Sequence, residues 1–320
     1  MFCPACAMEY RAGFARCSDC DVDLVETVVS PQSDDTAKLV IRDLLKLVWI
    51  DSTIAFFLLT FALTWGCSKL ALSSIAISWP SPLRTALMLI GTFGPSIAAL
   101  TVTARQEGLA GVKNLLRRLL YWRVAPQWYL LAIFYTTAIL LATGIAAFVI
   151  GRPIFPVLPS SGLIFVTMLI IVALSSTSEE IGWRGYALPR LAARFGLRRA
   201  SLILGLIWAT WHLPLFLSTS TNPYGQSFPM YALTVMAISV VFSWLYDKTN
   251  GSLLLAALLH TSNNVTLLFL PQPESAAAVF ARPTKPVSWI FTALLWIAAG
   301  YLLQRMRSFD SEGRSQAKLL

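Results

Sequence analysis

The sequence predicts an all-α, polytopic membrane protein of about eight transmembrane helices, with a small zinc-ribbon module at its N-terminus. Composition gives the first reason, because only 13% of the residues are charged and 56% are hydrophobic. A soluble domain carries about 25% charged residues. Long apolar runs and two closely spaced cysteine pairs give the other reasons. Together they exclude an ordinary soluble domain.

Apolar runs of about 20 residues, the length that crosses a bilayer, recur along the chain. The predicted spans are 48–70, 85–104, 127–150, 161–179, 200–217, 229–246, 252–271 and 287–304. They make residues 48–304 a transmembrane domain and leave 305–320 as a tail. The domain therefore contains an even number of predicted spans.

The charges predict the orientation of these spans. Lys and Arg number 25 against 16 Asp and Glu, an excess typical of loops that face the cytoplasm and anionic lipid. Basic residues follow the second and fourth spans: Arg105, Lys113, Arg117, Arg118, Arg123, Arg184, Arg190, Arg194, Arg198 and Arg199. We therefore expect an integral protein of a bacterial plasma membrane with both termini cytoplasmic. The lipid bilayer is its expected surrounding, and nucleic acid is not an expected partner.

The N-terminus, residues 1–26, contains two C-x-x-C pairs. Four thiolates spaced in this way bind structural Zn²⁺, and so short a segment needs the metal to fold. Disulfides are the alternative, which a reducing cytoplasm disfavours. The predicted ligands are Cys3, Cys6, Cys17 and Cys20. Residues 27–47 are predicted to be a polar linker, and the ribbon is expected to dock a protein partner or to regulate.

Two adjacent carboxylates end the fourth span, in the stretch STSEEIGWRGY. On a continuous helix, Glu180 lies beside Arg184 and Glu179 beside Trp183, because residues four apart share a face. Glu180 then has a counter-charge and Glu179 has none on its own helix. Glu179 is therefore the candidate to accept and return a proton. The alternative is a pair of acids that reach the cytoplasmic interface.

Both histidines of the chain, His212 and His260, lie inside predicted spans. An ionisable residue in the bilayer is a candidate functional group, although each histidine could instead tie helices together. Trp208 precedes His212 by one turn and is expected to cover its ring, and Asn264 follows His260 by one turn. Tilt could bring Glu179 and both histidines to one level in the membrane.

Three motifs in this order resemble one known family. Glu179, Glu180 and Arg184 match E-E-x-x-x-R, Trp208 and His212 match aromatic-x-x-x-His, and His260 and Asn264 match H-x-x-x-N. These motifs are similar to those of the CAAX protease and bacteriocin-processing family. The resemblance covers residues about 85–271, and its one mild departure is Trp208, where many members have Phe.

The resemblance implies a hydrolase, a type II CAAX prenyl protease-like intramembrane endopeptidase that cleaves a membrane-associated protein or peptide. Glu179 with His212 would activate water, and His260 with Asn264 would bind the oxyanion. Glu180 and Arg184 would fix the helix end. A metalloendopeptidase with catalytic zinc is a second interpretation of the same residues, but it is less favoured because the chain has no H-E-x-x-H motif.

Two other classes of function fit parts of the sequence. A family-like scaffold without catalysis could confer immunity to a bacteriocin or hold a regulatory partner. A transporter could use intramembrane Glu and His as a proton relay, but it would be expected to have inverted repeats, and none is evident. The identity of the substrate and its prenylation stay open.

Overall fold

A computed structural model describes residues 1–3, 8, 15–17, 19–25, 52–73, 75–153, 161–217, 227–268 and 286–317. The chain divides into two compact units, Met1–Ser52 and Thr53–Leu320. The predicted linker 27–47 and the predicted zinc ligand Cys6 lie outside the described residues.

The second unit is built from helices throughout the part of it that is described. We number its helices α1 Ser52–Ala71, α2 Ser81–Thr92, α3 Gly94–Arg117, α4 Pro126–Val149, α5 Gly162–Glu180, α6 Leu188–Trp211, α7 Leu213–Leu217, α8 Phe228–Lys248, α9 Leu253–Leu268 and α10 Pro286–Ala317. A π-helix, Ile181–Ala187, joins α5 to α6. Short 3₁₀ helices cover Ile75–Ser78 and Arg118–Leu120. The predicted all-α membrane fold is confirmed, and α10 runs through most of the predicted tail 305–320.

Among the described residues, fewer helices qualify as membrane spans than the eight predicted. Every predicted span overlaps a helix. In the part of the chain that the structure describes, however, only five helices are long and apolar enough to cross a membrane, or six if α2 and α3 form one bent span. The predicted spans 161–179 and 200–217 lie in one helical stretch of 50 residues, Gly162–Trp211, and α9 is a shorter apolar helix. A straight helix of that length would measure about 75 Å, far beyond a hydrocarbon core of about 30 Å.

Glycines in the left-handed region explain how such stretches are divided. Gly196 has φ 75° and ψ 153° and kinks α6, and Gly108 has φ 65° and ψ −167° within α3. Glycine adopts such values without steric cost. The kink at Gly196 falls between the predicted spans 161–179 and 200–217. The sequence therefore contained the boundary at which the structure bends this helical stretch.

The outer and inner helices differ as membrane packing requires. Large apolar side chains on α4 and α5 are exposed, among them Leu141, Ile145, Leu163 and Ile170. Contiguous exposed apolar surface of this kind is suited to contact lipid. By contrast, 72% of the apolar stretch of α8 is buried, and α8 packs against α6, α9 and α10. Therefore α8 is the central helix of the bundle.

Close contact between α6 and α8 depends on Gly205. A Cβ added there would lie 2.7 Å from the Cα of Met236 and 2.9 Å from the Cβ of Ser239. We expect Gly205→Ala to lower the free energy of unfolding by about 1–3 kcal/mol, because backbone must shift. Gly144→Ala on α4, with open space around it, is the matched control and should be neutral or stabilising by up to about 1 kcal/mol. Unfolding by SDS titration of the purified protein measures both, and equal effects would contradict this packing.

The first unit has a small core around its cysteines. Cys3, Cys17 and Leu24 are buried together. Two backbone hydrogen bonds, of 2.6 and 2.8 Å, pair Phe2 with Val25 and hold these two residues side by side. After each leading cysteine the chain turns back, because the Cys3 amide donates to the Met8 carbonyl and the Cys17 amide to that of Val22. Such turns hold the thiols close together.

Candidate functional site

The π-helix sits immediately after the paired carboxylates and sets where they point. All seven of its residues are buried. It approaches α3 closely at Gly182, where a Cβ would lie 2.5 Å from the Cβ of Pro95. Short π segments inside α-helices are common at functional sites. Because Gly182 has no side chain, the helix that follows α5 can pack closely against α3.

Glu180 is the hub of a buried charged cluster. Its Oε1 accepts hydrogen bonds from Arg184 Nη1 and faces His260 Nδ1, each at 2.9 Å. The Glu180 and Arg184 side chains are 0% exposed. The Arg184 guanidinium also lies 4.5 Å from the Trp208 ring and 4.7 Å from the Phe242 ring. Cation–π contact and the ion pair offset part of the cost of the lost hydration.

Glu179 has a different set of partners. Its Oε2 accepts a hydrogen bond of 2.9 Å from the indole Nε1 of Trp208. The residue is 6% exposed and borders a cavity. Glu179 thus accepts a hydrogen bond from a neutral indole, whereas Glu180 accepts one from a cationic guanidinium. The two adjacent acids are therefore chemically distinct, as the helical spacing indicated.

His212 lies where α6 ends. Its Nδ1 is 3.0 Å from the backbone carbonyl oxygen of Trp208. The nearest indole is that of Trp211, whose ring centroid is 4.6 Å away, against 6.4 Å for Trp208. Trp208 also stacks edge-on with His260 at 5.2 Å. Trp208 is therefore a ring neighbour of His212, as expected, but Trp211 lies closer to that ring.

Helix α1 holds Trp211 in place from outside the predicted core 85–271. Thr64 Oγ1 accepts a hydrogen bond of 2.8 Å from Trp211 Nε1 and donates one of 2.6 Å to the Gly91 carbonyl. Trp65 Nε1 donates to the Trp211 carbonyl at 3.1 Å. The first span therefore fixes the residue next to His212.

Asn264 contacts α5 and its own neighbour. Its Nδ2 lies 3.5 Å from Ser176 Oγ, and its Oδ1 accepts a hydrogen bond of 3.1 Å from Asn263 Nδ2. Thr136 on α4 donates to Asn263 Oδ1 at 3.2 Å. The amide of Asn264 is therefore held from both ends.

A cavity of about 360 Å³ joins these side chains. Its walls come mainly from apolar residues of α2, α5 and α8, and its polar lining includes Glu179, Trp208, His212, His260, Asn263 and Asn264. Glu180 and Arg184 are buried behind His260, which Glu180 contacts. The structure thus brings together four candidates, Glu179, His212, His260 and Asn264, from three separate parts of the chain.

Sequence reasoning missed several residues of this site. Trp211, Thr64 and Thr136 were not singled out, and Asn263 was only a less favoured substitute for Asn264. Trp211 could have been found because it is adjacent to His212. A polar residue in an apolar span, such as Thr64 or Thr136, is a weaker signal of interhelical hydrogen bonding. Sequence does not say which helix such a residue faces.

The arrangement can perform acid–base chemistry on a ligand in the cavity. A carboxylate and two imidazoles can exchange protons, and an amide can donate to a developing negative charge. Apolar walls exclude bulk water, which strengthens these electrostatic contacts. A bound water needs about two to four polar partners, which the lining can supply.

The described donors suit a metal at the N-terminus. The Sγ atoms of Cys3, Cys17 and Cys20 lie within 4.8 Å of one another. Tetrahedral Zn²⁺ with Zn–S bonds of about 2.3 Å places its sulfurs about 3.8 Å apart, so this cluster fits the ion. Among the described residues, no other group of three or more His, Cys, Asp or Glu ligand atoms converges in this way.

The fold and the cavity define a helical membrane protein with paired carboxylates and imidazoles between its helices. Residues 160–266 match the family described as type II CAAX prenyl endopeptidase Rce1-like. The chain is also 26% identical over 215 residues to CAAX prenyl protease 2 of Methanococcus maripaludis, which covers 64% of this chain and 78% of that protein. The predicted resemblance is confirmed, because over this segment the chain is similar to type II CAAX prenyl endopeptidases. The family match contains every predicted residue of the membrane site.

Proposed function

We propose that this protein is an intramembrane endopeptidase that hydrolyses a peptide bond of a membrane-associated protein or peptide. The observation that carries the proposal is the meeting of Glu179, His212, His260 and Asn264 at one cavity inside the bundle. The family match and the archaeal relative support the reaction class.

In the proposed reaction, Glu179 and His212 activate a water for attack on the peptide carbonyl. The water oxygen bonds to the carbonyl carbon while its proton moves to the carboxylate of Glu179. The carbonyl oxygen becomes an oxyanion. When the carbon–nitrogen bond breaks, the proton passes to the leaving amine. Trp208 Nε1 donates to Oε2 of Glu179, which fixes the position of the carboxylate beside the cavity.

His260 and Asn264 are proposed to bind the oxyanion. The amide of Asn264 donates through Nδ2, and the imidazole of His260 donates through Nε2. Since Glu180 Oε1 lies 2.9 Å from Nδ1 of His260, its carboxylate orients the ring and leaves Nε2 as the nitrogen for the oxyanion. The role of Glu180 therefore extends beyond fixing the helix end, because it also orients a histidine.

Comparison of membranes tests this function directly. Cells that express the wild-type chain or Glu179→Gln are compared by proteomics of peptide ends. A new end that appears only with the wild-type chain is the expected result and identifies the substrate. An identical set of ends, with both proteins present and folded, would favour a non-catalytic scaffold instead.

The zinc ribbon is proposed to be structural. We expect one Zn²⁺ per purified wild-type chain, held by Cys3, Cys6, Cys17 and Cys20, and loss of this zinc in Cys17→Ser. The matched control Cys67→Ser should keep it, because Cys67 lies on α1. Zinc content by mass spectrometry measures the outcome. A second zinc that disappears in His260→Ala would show catalytic zinc and contradict the metal-free proposal.

Location and partners follow from the charge pattern. We propose that both termini face the cytoplasm of a bacterial cell, that the site opens into the inner half of the plasma membrane, and that a protein partner binds the ribbon. The names of the matching family and of the relative include the word prenyl. The proposal for this chain does not include a prenyl group on the substrate.

A further inference from the structure

A chain of hydrogen bonds crosses from α4 to the cavity. It begins at Thr136, which is 2% exposed, passes through Asn263, which is 6% exposed, and ends at Asn264. Thr136 and Asn263 are separated by 127 positions in the sequence. Buried polar groups of this kind are costly unless all are satisfied.

The direction of these bonds determines which atoms of Asn264 remain for a ligand. The Thr136 hydroxyl donates to Asn263 Oδ1, so Asn263 presents Nδ2 to its neighbour. That Nδ2 donates to Asn264 Oδ1, so the Nδ2 end of Asn264 is the end that can donate to a ligand. Nδ2 carries two N–H bonds, and Ser176 Oγ lies 3.5 Å from it. A second N–H is therefore available to the cavity that Asn264 lines.

We propose that Thr136 and Asn263 are positioning residues that set the amide of Asn264 so that its N–H group, and not its carbonyl, meets the oxyanion. This proposal rests on the proposed peptidase function. A reversed amide would place a carbonyl oxygen against developing negative charge, which would oppose the reaction. Thr136 acts from α4, outside the matched segment 160–266.

A second threonine on α4 provides a close comparison. Thr137 lies next to Thr136, and its hydroxyl is 3.1 Å from that of Thr266 on α9. Both threonines therefore link α4 to α9 by one hydrogen bond. Thr137 pairs with Thr266 and not with Asn263, so it shares the structural role without the connection to Asn264.

Thr136→Val and Thr137→Val are the matched test, since each replaces a hydroxyl by a methyl of similar size. Cleavage of the substrate peptide by the full-length protein in detergent is measured with kcat and KM separated. We expect Thr136→Val to lower kcat about 10-fold with KM changed less than about 2-fold, because the donor acts on the transition state. Thr137→Val should change kcat less than about 2-fold, and Thr136→Ser should restore most of the activity.

Asn263→Asp provides an independent variant if Thr136→Val does not fold. A carboxylate accepts from Thr136 but cannot donate to Asn264, so kcat should fall at least as far as in Thr136→Val. Equal losses in Thr136→Val and Thr137→Val, or full activity of Asn263→Asp, would overturn the relay while leaving the peptidase function intact. No cleavage by the wild-type chain on any membrane peptide would instead overturn the proposed function on which the relay rests.

Discussion

Glu179→Gln is expected to lower kcat on the order of 10³-fold, the loss typical when a general base is removed. The amide keeps an oxygen that can accept the hydrogen bond from Trp208 Nε1, now 2.9 Å from the carboxylate. The substitution therefore removes the proton acceptor and preserves the packing. Substrate binding should change little, so KM should stay within about 2-fold.

The control for this variant is Glu107→Gln. Glu107 pairs with Arg190 at 3.1 Å, and its side chain is 51% exposed. A surface ion pair of this kind contributes about 0–1 kcal/mol, so kcat and thermal stability should stay near wild type. Retained cleavage in Glu179→Gln, with the protein correctly inserted, would exclude Glu179 as the base.

Arg184→Met is expected to have the largest effect on stability. Arg184 and Glu180 are both 0% exposed at the side chain and are 2.9 Å apart. Removal of one partner leaves the other charge buried without compensation, which costs about 3–5 kcal/mol. The rings of Trp208 and Phe242 lose their cationic contact as well. Thermal unfolding in detergent, followed by tryptophan fluorescence, measures the loss.

A double variant separates stability from function. Glu180→Gln combined with Arg184→Met removes both charges, so we expect it to recover much of the stability that Arg184→Met loses. It should still cleave poorly, because His260 Nδ1 no longer faces a carboxylate. A double variant as unstable as the single one would show that the charges themselves are not the cause.

The candidate site residues could be found from sequence because ionisable groups are rare in apolar spans. Glu179, His212 and His260 stood out for that reason, and E-E-x-x-x-R predicted the pair Glu180 and Arg184 correctly by helical spacing. Local periodicity also predicted the helices. These features depend on residues near one another in the chain, where the helix itself fixes the geometry.

Contacts between distant helices could not be predicted in the same way. The bond from Trp208 to Glu179, the contact of Glu180 with His260 and the support of Trp211 by α1 each depend on how helices rotate and cross. The count of spans was also affected, because one helical stretch of 50 residues, bent at Gly196, covers two of the predicted spans. Packing decides rotation, and periodicity does not encode it.

Sequence by itself determined that this is a helical membrane protein with two adjacent carboxylates at the end of one span, and with two histidines and two adjacent asparagines inside other spans, because composition and spacing are local properties. Only the tertiary structure decided that Glu180 holds His260, that Trp208 holds Glu179, and that Thr136 and Asn263 reach Asn264. The physical reason is that hydrogen bonds require a particular distance and direction between atoms. Helices far apart in the chain acquire both only when they pack together.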